Sequence, residues 1–310
     1  MQKKCFFKKK QAFFVSLCGA DWRGCDIFCT FAVEMKYSVR VHNQMLDLSH
    51  PVVMAIVNIT PDSFYTSCRS MREDEVLRCA EKAIEEGADM LDLGACSTRP
   101  GSAPVDAEGE WARLEPALKA IRKRWPDAVI SVDTFRAEVA RRSIEAGADI
   151  INDVYGGEAD NEMFDVVSKY RVPYILTHAR TIPTSEDGYD RTMSDILDFL
   201  QSRTDELHRR GVADVILDPG FGFGKNVEQN YSLLRQLDVL QTLHAPVLVG
   251  VSHKSMFYRP MGLTPDDVLP ATIAAHAIAL EKGANILRVH EVAPAKQAIA
   301  VYQYTYPKEG

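Results

Sequence analysis

Eight short apolar runs in this 310-residue chain each end in polar groups of the kinds that bind and polarise small molecules. In chain order the endings are Asn58-Ile59-Thr60-Pro61-Asp62-Ser63-Phe64, Ser97-Thr98-Arg99-Pro100-Gly101, Asp133-Thr134, Asn152-Asp153, His178, Asp218-Pro219-Gly220-Phe221-Gly222-Phe223-Gly224, Ser252-His253-Lys254-Ser255 and Arg288-Val289-His290. A single Asp or Asn in such a place serves as often to form a turn or cap a helix as to bind a ligand. Eight coincident endings ask for more than capping.

Sorted by chemistry, the endings divide into three groups. Asp133, Asn152 and Asp218 offer acceptors suited to a flat heterocycle with adjacent N–H donors, because a carboxylate can accept two bonds in a fork. Arg99, Lys254, Arg288 and His290 come from three different loops and are cationic or can become so, as binding of a phosphate or diphosphate requires. Asn58 supplies a neutral oxygen that could complete the shell of a magnesium ion held mainly by phosphate and water. The glycines of 219–225 would let backbone approach a ligand. Cys96 has no His or Asn partner that the sequence motivates, so a structural role is expected of it.

The elements that must position these groups are legible from hydrophobic period. Val- and Ile-rich runs at 52–57, 90–93, 129–132, 150–152, 173–177, 215–218, 246–251 and 286–289 alternate with amphipathic stretches near 73–86, 108–125, 136–146, 161–169, 193–210, 228–243, 267–282 and 294–303. The junctions repeat: Gly87-Ala88-Asp89, Gly147-Ala148-Asp149 and Gly283-Ala284-Asn285 each end a helix and open a strand, and Gly211-Val212-Ala213-Asp214 is a diverged copy. Eight such units predict an α/β fold, a (βα)8 TIM barrel over 51–310, whose active face lies at the carboxyl ends of its strands. An open doubly wound sheet is the alternative, but no GxGxxG follows the first strand.

Composition agrees with a folded protein binding a small ligand. Apolar residues make up 46% and charged residues 25%, ordinary for a globular chain, and the net charge of −7 argues against broad binding to nucleic acid or an anionic membrane. Seven cysteines without a CxxC pair suggest neither a disulfide framework nor a structural metal, which fits a cytoplasmic setting. Lys3, Lys4 and Lys8 to Lys10 precede an apolar run from Ala12 to Ala20, the layout of a secretory signal, though shorter than the ~20 residues a membrane span needs. The reading preferred here takes 1–34 as an N-terminal extension, disordered or from a misassigned start, with translation beginning at Met35. The segment 35–50 reads as an N-terminal β-hairpin leading into the first barrel strand.

From Met35 to about Tyr304 the chain resembles the dihydropteroate synthases, the folate-pathway branch of the pterin-binding barrels. The resemblance rests on NITPDSF (58–64), LDLGACSTRPG (91–101), SVDTF (131–135), IND (151–153), DPGFGFGK (218–225), SHKS (252–255) and RVH (288–290). It implies condensation of 6-hydroxymethyl-7,8-dihydropterin diphosphate with 4-aminobenzoate to 7,8-dihydropteroate and diphosphate, with Mg2+, by a dissociative substitution in a homodimer. By position it implies a pterin pocket of Thr98, Asp133, Asn152, Asp218 and Lys254. Asn58, Arg99, Arg288 and His290 fall at the diphosphate, with Asn58 as the metal contact. Ser255 and Arg288 fall at the aminobenzoate carboxylate, and Asp62 and Ser63 lie on a loop expected to close over the site. Asp62, Lys254, Arg288 and His290 are the expected catalytic groups.

The chain departs from the family pattern in places. The seventh motif, usually Ser-Arg-Lys-Ser, carries His253 at its second position, which makes a permanent charge conditional on pH. The first loop continues Phe64-Tyr65-Thr66-Ser67-Cys68-Arg69 where the family tends to carry Ser, Asp and Gly, and the fifth strand ends Thr177-His178-Ala179-Arg180. Two other readings follow: a pterin-binding paralogue without catalysis, and a methyltetrahydrofolate-dependent corrinoid methyltransferase, which has no diphosphate to bind and no need of STRPG with RVH.

Overall fold

The computed structural model describes residues 37–41, 44–59, 73–96, 105–182 and 191–307. Strands β1 (Ser38–Val41) and β2 (Gln44–Asp47) form an antiparallel hairpin. Eight parallel strands follow: β3 (Val52–Asn58), β4 (Met90–Gly94), β5 (Val129–Asp133), β6 (Ile150–Asp153), β7 (Tyr174–Thr177), β8 (Val215–Asp218), β9 (Leu248–Val249) and β10 (Ile286–Val289). They pair in the order β8-β7-β6-β5-β4-β3-β10-β9, and a parallel bridge between Leu217 and Val247 closes the ring. The expected α/β barrel with an N-terminal hairpin is therefore what the chain forms.

The helices are α1 (Glu73–Glu85), α2 (Ala107–Arg124), α3 (Ala137–Glu145), α4 (Met163–Tyr170), α5 (Thr192–Arg209), α6 (Val227–Arg235), α7 (Ser255–Met261), α8 (Leu269–Glu281) and α9 (Val292–Thr305). Where one helix is expected over 228–243, α6 stops at Arg235 and a 3-10 turn, Leu237–Leu243, continues it while keeping Leu237 and Leu240 buried. The expected strand 246–251 shrinks to β9; at its start Pro246 has no N–H to donate, although its carbonyl accepts from the Leu217 N–H at 2.8 Å. Helix α7 is an addition, short and stopped at Gly262 in left-handed geometry. Among the described residues no helix is long and apolar enough to cross a membrane. Cys79 on α1 is disulfide-bonded, a pairing that the cysteine spacing does not suggest, whereas Cys96 is free.

The period of two along each strand sorts side chains between two cores. Val53, Ala55, Leu91, Leu93, Ile130, Val132, Ile151, Leu176, Leu217, Val249, Leu287 and Val289 face outward and are buried with the helices in one cluster. The alternate set, Val52, Met54, Met90, Val129, Ile150, Ile175, Ile216, Leu248 and Ile286, points inward and packs with Val39, Val41 and Leu48 of the hairpin segment. The hairpin thus completes the apolar floor of the barrel at the amino ends of the strands. Continuing the inward parity toward the carboxyl ends reaches Asn58, Asp92, Ser131, Asp133, Asn152, Thr177, Asp218 and Arg288. One alternation therefore makes both an oily floor and a polar mouth.

The repeated junctions explain how the strands are held in register. Gly87, Gly147 and Gly283 adopt φ of 91°, 106° and 89°, where only glycine is unstrained, and reverse the chain after each helix. The acid or amide two residues later then accepts from a neighbouring strand. Asp89 takes the Val53 N–H at 2.8 Å, Asp149 the Ile130 N–H at 2.7 Å and Asn285 the Val247 N–H at 2.9 Å. The diverged copy differs: Asp214 accepts from Arg40 of the hairpin at 3.2 Å.

Candidate active site

Arg288 on β10 lies at the centre of the mouth. Its Nε donates to Asp92 Oδ2 at 2.6 Å and its Nη2 to Asp133 Oδ2 at 2.7 Å, so one planar guanidinium ties β10 to β4 and β5. Asp92 is fully buried and also accepts from Asn152 Nδ2 at 3.0 Å. The second oxygen of Asp92, the side-chain oxygen of Asn152 and the Ser131 hydroxyl are buried without a hydrogen-bond partner among the described residues. Orphaned polar atoms so placed are what a pocket presents before a polar ligand fills it.

Asp218, at the end of β8, forms the other wall. Its carboxylate accepts from the Gly220 N–H at 2.8 Å and faces the Thr177 hydroxyl at 3.5 Å. The glycines after it turn out to serve local packing. Gly220 sits at φ 71°, and a Cβ there would stand 2.0 Å from the His178 carbonyl oxygen; at Gly222 a Cβ would meet Lys254 Cδ at 3.2 Å. The loop therefore presses against β7 on one side and lets the Lys254 stem lie along it on the other. Lys254 Nζ sits 4.6 Å from the centre of the Phe223 ring, a cation–π contact.

The buried Lys225 clasps this loop from within. Its ammonium donates to the carbonyls of His178, Gly220 and Phe223 at 3.0, 2.9 and 3.0 Å and meets His178 Nδ1 at 3.0 Å. Burial, with the Lys225 charge second, holds His178 down to about 3, so its neutral ring can accept that bond. Burial likewise draws Lys225 down to about 7, against the pull of Asp218.

Burial also lifts the Asp133 carboxyl, to about 7; Arg288 opposes the shift and Asp92 adds to it. Asp218 is raised for the same first reason, against the Gly220 N–H and the charges of Lys254, Arg288 and Lys225. Burial would lower Arg288, but Asp92 and Asp133 raise it overall, so it remains a cation.

The other expected residues fall around this centre. Asn58 ends β3 on the inward parity, with its Oδ1 on the side of Gly94 and Asp133. Lys254 caps α7 and Ser255 is its first residue. His290 follows β10 two residues after Arg288, its ring 6.0 Å from that of His253. Asp62, Ser63, Thr98 and Arg99 lie outside the described residues. Two contributors went unmarked in the sequence reading. Asp92 lies inside an apolar run, and only its shared parity with Met90 betrays it. Lys225 ends a quoted motif, but its inward clasp depends on the loop fold. Asp153, adjacent to Asn152, points outward instead, accepting from Tyr174 Oη at 2.7 Å and from the N–H groups of Tyr155 and Gly157, both at 2.8 Å.

A model of the pterin binding enzyme family matches residues 54–290. A dihydropteroate synthase of Haemophilus influenzae is 39% identical over 269 residues, which cover 85% of this chain and 97% of that protein. This chain belongs to the dihydropteroate synthase family. A dihydropteroate synthase of Streptococcus pyogenes is 40% identical over 253 residues, covering 80% of this chain and 93% of its own. Among solved structures, a Yersinia pestis dihydropteroate synthase in complex with a sulfonamide drug superposes with a TM-score of 0.81 at 35% identity, covering 88% of this chain and 100% of that one. A Xanthomonas albilineans dihydropteroate synthase with 4-aminobenzoic acid gives 0.80 at 35% identity and the same coverage of both chains. As a dihydropteroate synthase the chain acts in folate biosynthesis, and neither the paralogue nor the methyltransferase reading is needed to account for it.

Proposed function

We propose that the Arg288 network, with Asp218 and Lys254 opposite it, is the pterin pocket in which 6-hydroxymethyl-7,8-dihydropterin diphosphate is activated for attack by 4-aminobenzoate. The observation that carries this reading is the set of buried acceptors on Asp92 and Asn152, unpartnered among the described residues, beside a guanidinium already fixed by two carboxylates. A ring with adjacent N–H donors satisfies those acceptors, while a ligand lacking them leaves each orphan at a cost of about 1–3 kcal/mol.

In this scheme Asp133, Asn152 and Asp218 hold the pterin edge, Thr98 lies beside it, and Lys254 meets it from the far side. Two nitrogens of Arg288 are engaged by Asp92 and Asp133, and the third, Nη1, is the one proposed to meet an anion. Arg288 and His290, with Arg99, bind the leaving diphosphate and stabilise the charge that separates when the C–O bond breaks ahead of amine attack. Ser255 and Arg288 receive the aminobenzoate carboxylate. Asp62, on the first loop, closes the site and excludes water from the cationic pterin.

The donor set fits magnesium bound in the manner usual for phosphate substrates. Among the described residues no cluster of three His, Cys, Asp or Glu could cage a metal, whereas Asn58 presents one neutral oxygen at the mouth. Asn58 is the residue that would hold Mg2+, with diphosphate oxygens and water as the other ligands. When bound, the ion supplies charge neutralisation on the diphosphate. The same reading takes 51–310 as one barrel domain, 35–50 as its hairpin and 1–34 as an extension, working as a homodimer in the cytoplasm.

Purified protein supplied with the pterin diphosphate, 4-aminobenzoate and magnesium should form 7,8-dihydropteroate, detected by mass spectrometry, only when both substrates are present. Product from the Lys254→Ala or Asp218→Ala variant at a near-normal rate would refute the residue assignment.

A further inference from the structure

His253 occupies an unusual place beside the site. It is buried, with its side chain 5% exposed, and its backbone is held at φ 52°, in the left-handed region that costs a branched or bulky residue about 1 kcal/mol. Both ring nitrogens face acceptors. Nε2 lies 2.9 Å from each oxygen of Glu291, and Nδ1 meets the Pro265 carbonyl oxygen. A neutral imidazole has only one N–H, so one of these contacts would set a ring lone pair against an oxygen lone pair. Only the imidazolium satisfies both.

The elements joined are the ones that carry the site. His253 belongs to the turn that delivers Lys254 and Ser255, while Glu291 directly follows His290 on the β10 loop. The His253 backbone N–H reaches Thr272 Oγ1 on α8 at 3.3 Å, and Pro265 opens the 3-10 turn Pro265–Asp267. Among the described residues, the titratable groups facing the ring include Glu291 and His290 from the β10 loop, Asp266 from the 3-10 turn and His276 from α8, and Lys82 of α1 and Glu86 just after it line the same cavity. His276 is buried with neither nitrogen partnered among the described residues, and burial with the nearby His253 charge lowers it to about 4, so it stays neutral.

We propose that His253 is a positioning residue which, as an imidazolium locked between Glu291 and the Pro265 carbonyl, fixes the Lys254–Ser255 turn against the His290 loop and so sets the spacing of the substrate subsites. The proposal rests on the assignment of those loops to the substrates. It adds that this chain performs the task through a titratable group, so substrate affinity weakens as that group loses its proton.

Two measurements test it. Ring 15N shifts of His253 in the full-length protein, assigned by comparison with His253→Gln, should report protonation of both nitrogens at pH 7.5; a neutral tautomer there overturns the proposal. In steady-state kinetics, His253→Gln and Glu291→Gln should each raise the KM for 4-aminobenzoate about tenfold, the scale of one lost charge-assisted hydrogen bond, with kcat within about threefold of wild type. Wild-type KM should climb toward alkaline pH, and His253→Arg should keep a low KM with that climb removed. A folded His253→Gln with wild-type KM and pH profile, even if less stable, assigns the residue to scaffolding alone and overturns the proposal. The 15N measurement needs no turnover, so it stands apart from any failure of the synthase reading.

Discussion

Arg288 Nε and the fully buried Asp92 Oδ2 stand 2.6 Å apart across the barrel mouth, joining the last strand to the second strand of the ring. Asp92 is fully buried and Arg288 half-buried, and the pair lies between the apolar floor and the proposed pterin pocket. It therefore links fold stability to substrate geometry.

Replacing Asp92 by Asn keeps the shape and removes the charge. Breaking a buried ion pair costs about 3–5 kcal/mol when the partner is stranded, and the remaining Asp133 contact reduces that to about 2–3 kcal/mol. Urea unfolding of Asp92→Asn should show a loss of this size, with kcat/KM for the pterin diphosphate down at least about 100-fold from a mispositioned guanidinium. Wild-type turnover in a destabilised protein would separate Asp92 from the site.

Asp133 sets an acid limb. Its carboxyl is lifted to about 7, so the ionised acceptor is depleted as pH falls below that value. The profile of kcat/KM for the pterin diphosphate, which reports groups of the free enzyme, should decline on the acid side near that pH. Asp133→Asn should abolish the limb as well as lower the plateau. An unchanged limb in the variant would assign it to another group.

The legible part of this architecture was whatever repeats or alternates. The Gly-Ala-Asp junctions and the Val/Ile runs marked eight units because each local pattern has a physical cause in a helix stop or a two-faced strand. Asn58, Asp133, Asn152, Asp218 and Arg288 were visible as polar residues at strand ends. Asp92 was not, because an acid within Leu91-Asp92-Leu93 reads as part of an apolar strand until the inward parity is known. Glu291 and Thr272 were equally hidden, since their meaning depends on His253, whose ring reaches Glu291 and whose backbone N–H reaches Thr272 from a turn with positive φ. The strand expected at 246–251 loses its first residue, Pro246, which has no N–H to donate, and α7 was too short to show a period.

Stability should carry the signature of His253. Burial lowers its affinity for a proton, but the Glu291 bond, the Pro265 carbonyl and the Glu291 charge outweigh that and raise it above 6.5. A raised pKa means the folded state holds the proton more tightly, so the stabilisation is full below the unfolded value of about 6.5 and is lost as pH rises through the folded one. The difference in unfolding free energy between wild type and His253→Gln should be largest near pH 6 and shrink toward pH 9. A difference that grows with pH would contradict the imidazolium.

Lys225 should act through the loop it clasps. Lys225→Met retains the stem but strands the carbonyls of His178, Gly220 and Phe223, at about 1–3 kcal/mol each before water relieves them. We expect faster amide hydrogen exchange over residues 219–225 and a raised KM for the pterin diphosphate. Unchanged exchange in that loop would show that its glycines and Asp218 suffice to hold it.

The central claim, that these strand ends bind a pterin and release its diphosphate, is tested most directly by a two-stage calorimetric titration. Pterin diphosphate is first titrated into the purified protein with magnesium, 4-aminobenzoate is then added, and free diphosphate is measured. Uptake of the first ligand followed by stoichiometric diphosphate release on the second addition, with both lost in Asp218→Asn, is the predicted result. Uptake with no release on adding 4-aminobenzoate, or release undiminished in Asp218→Asn, would contradict it.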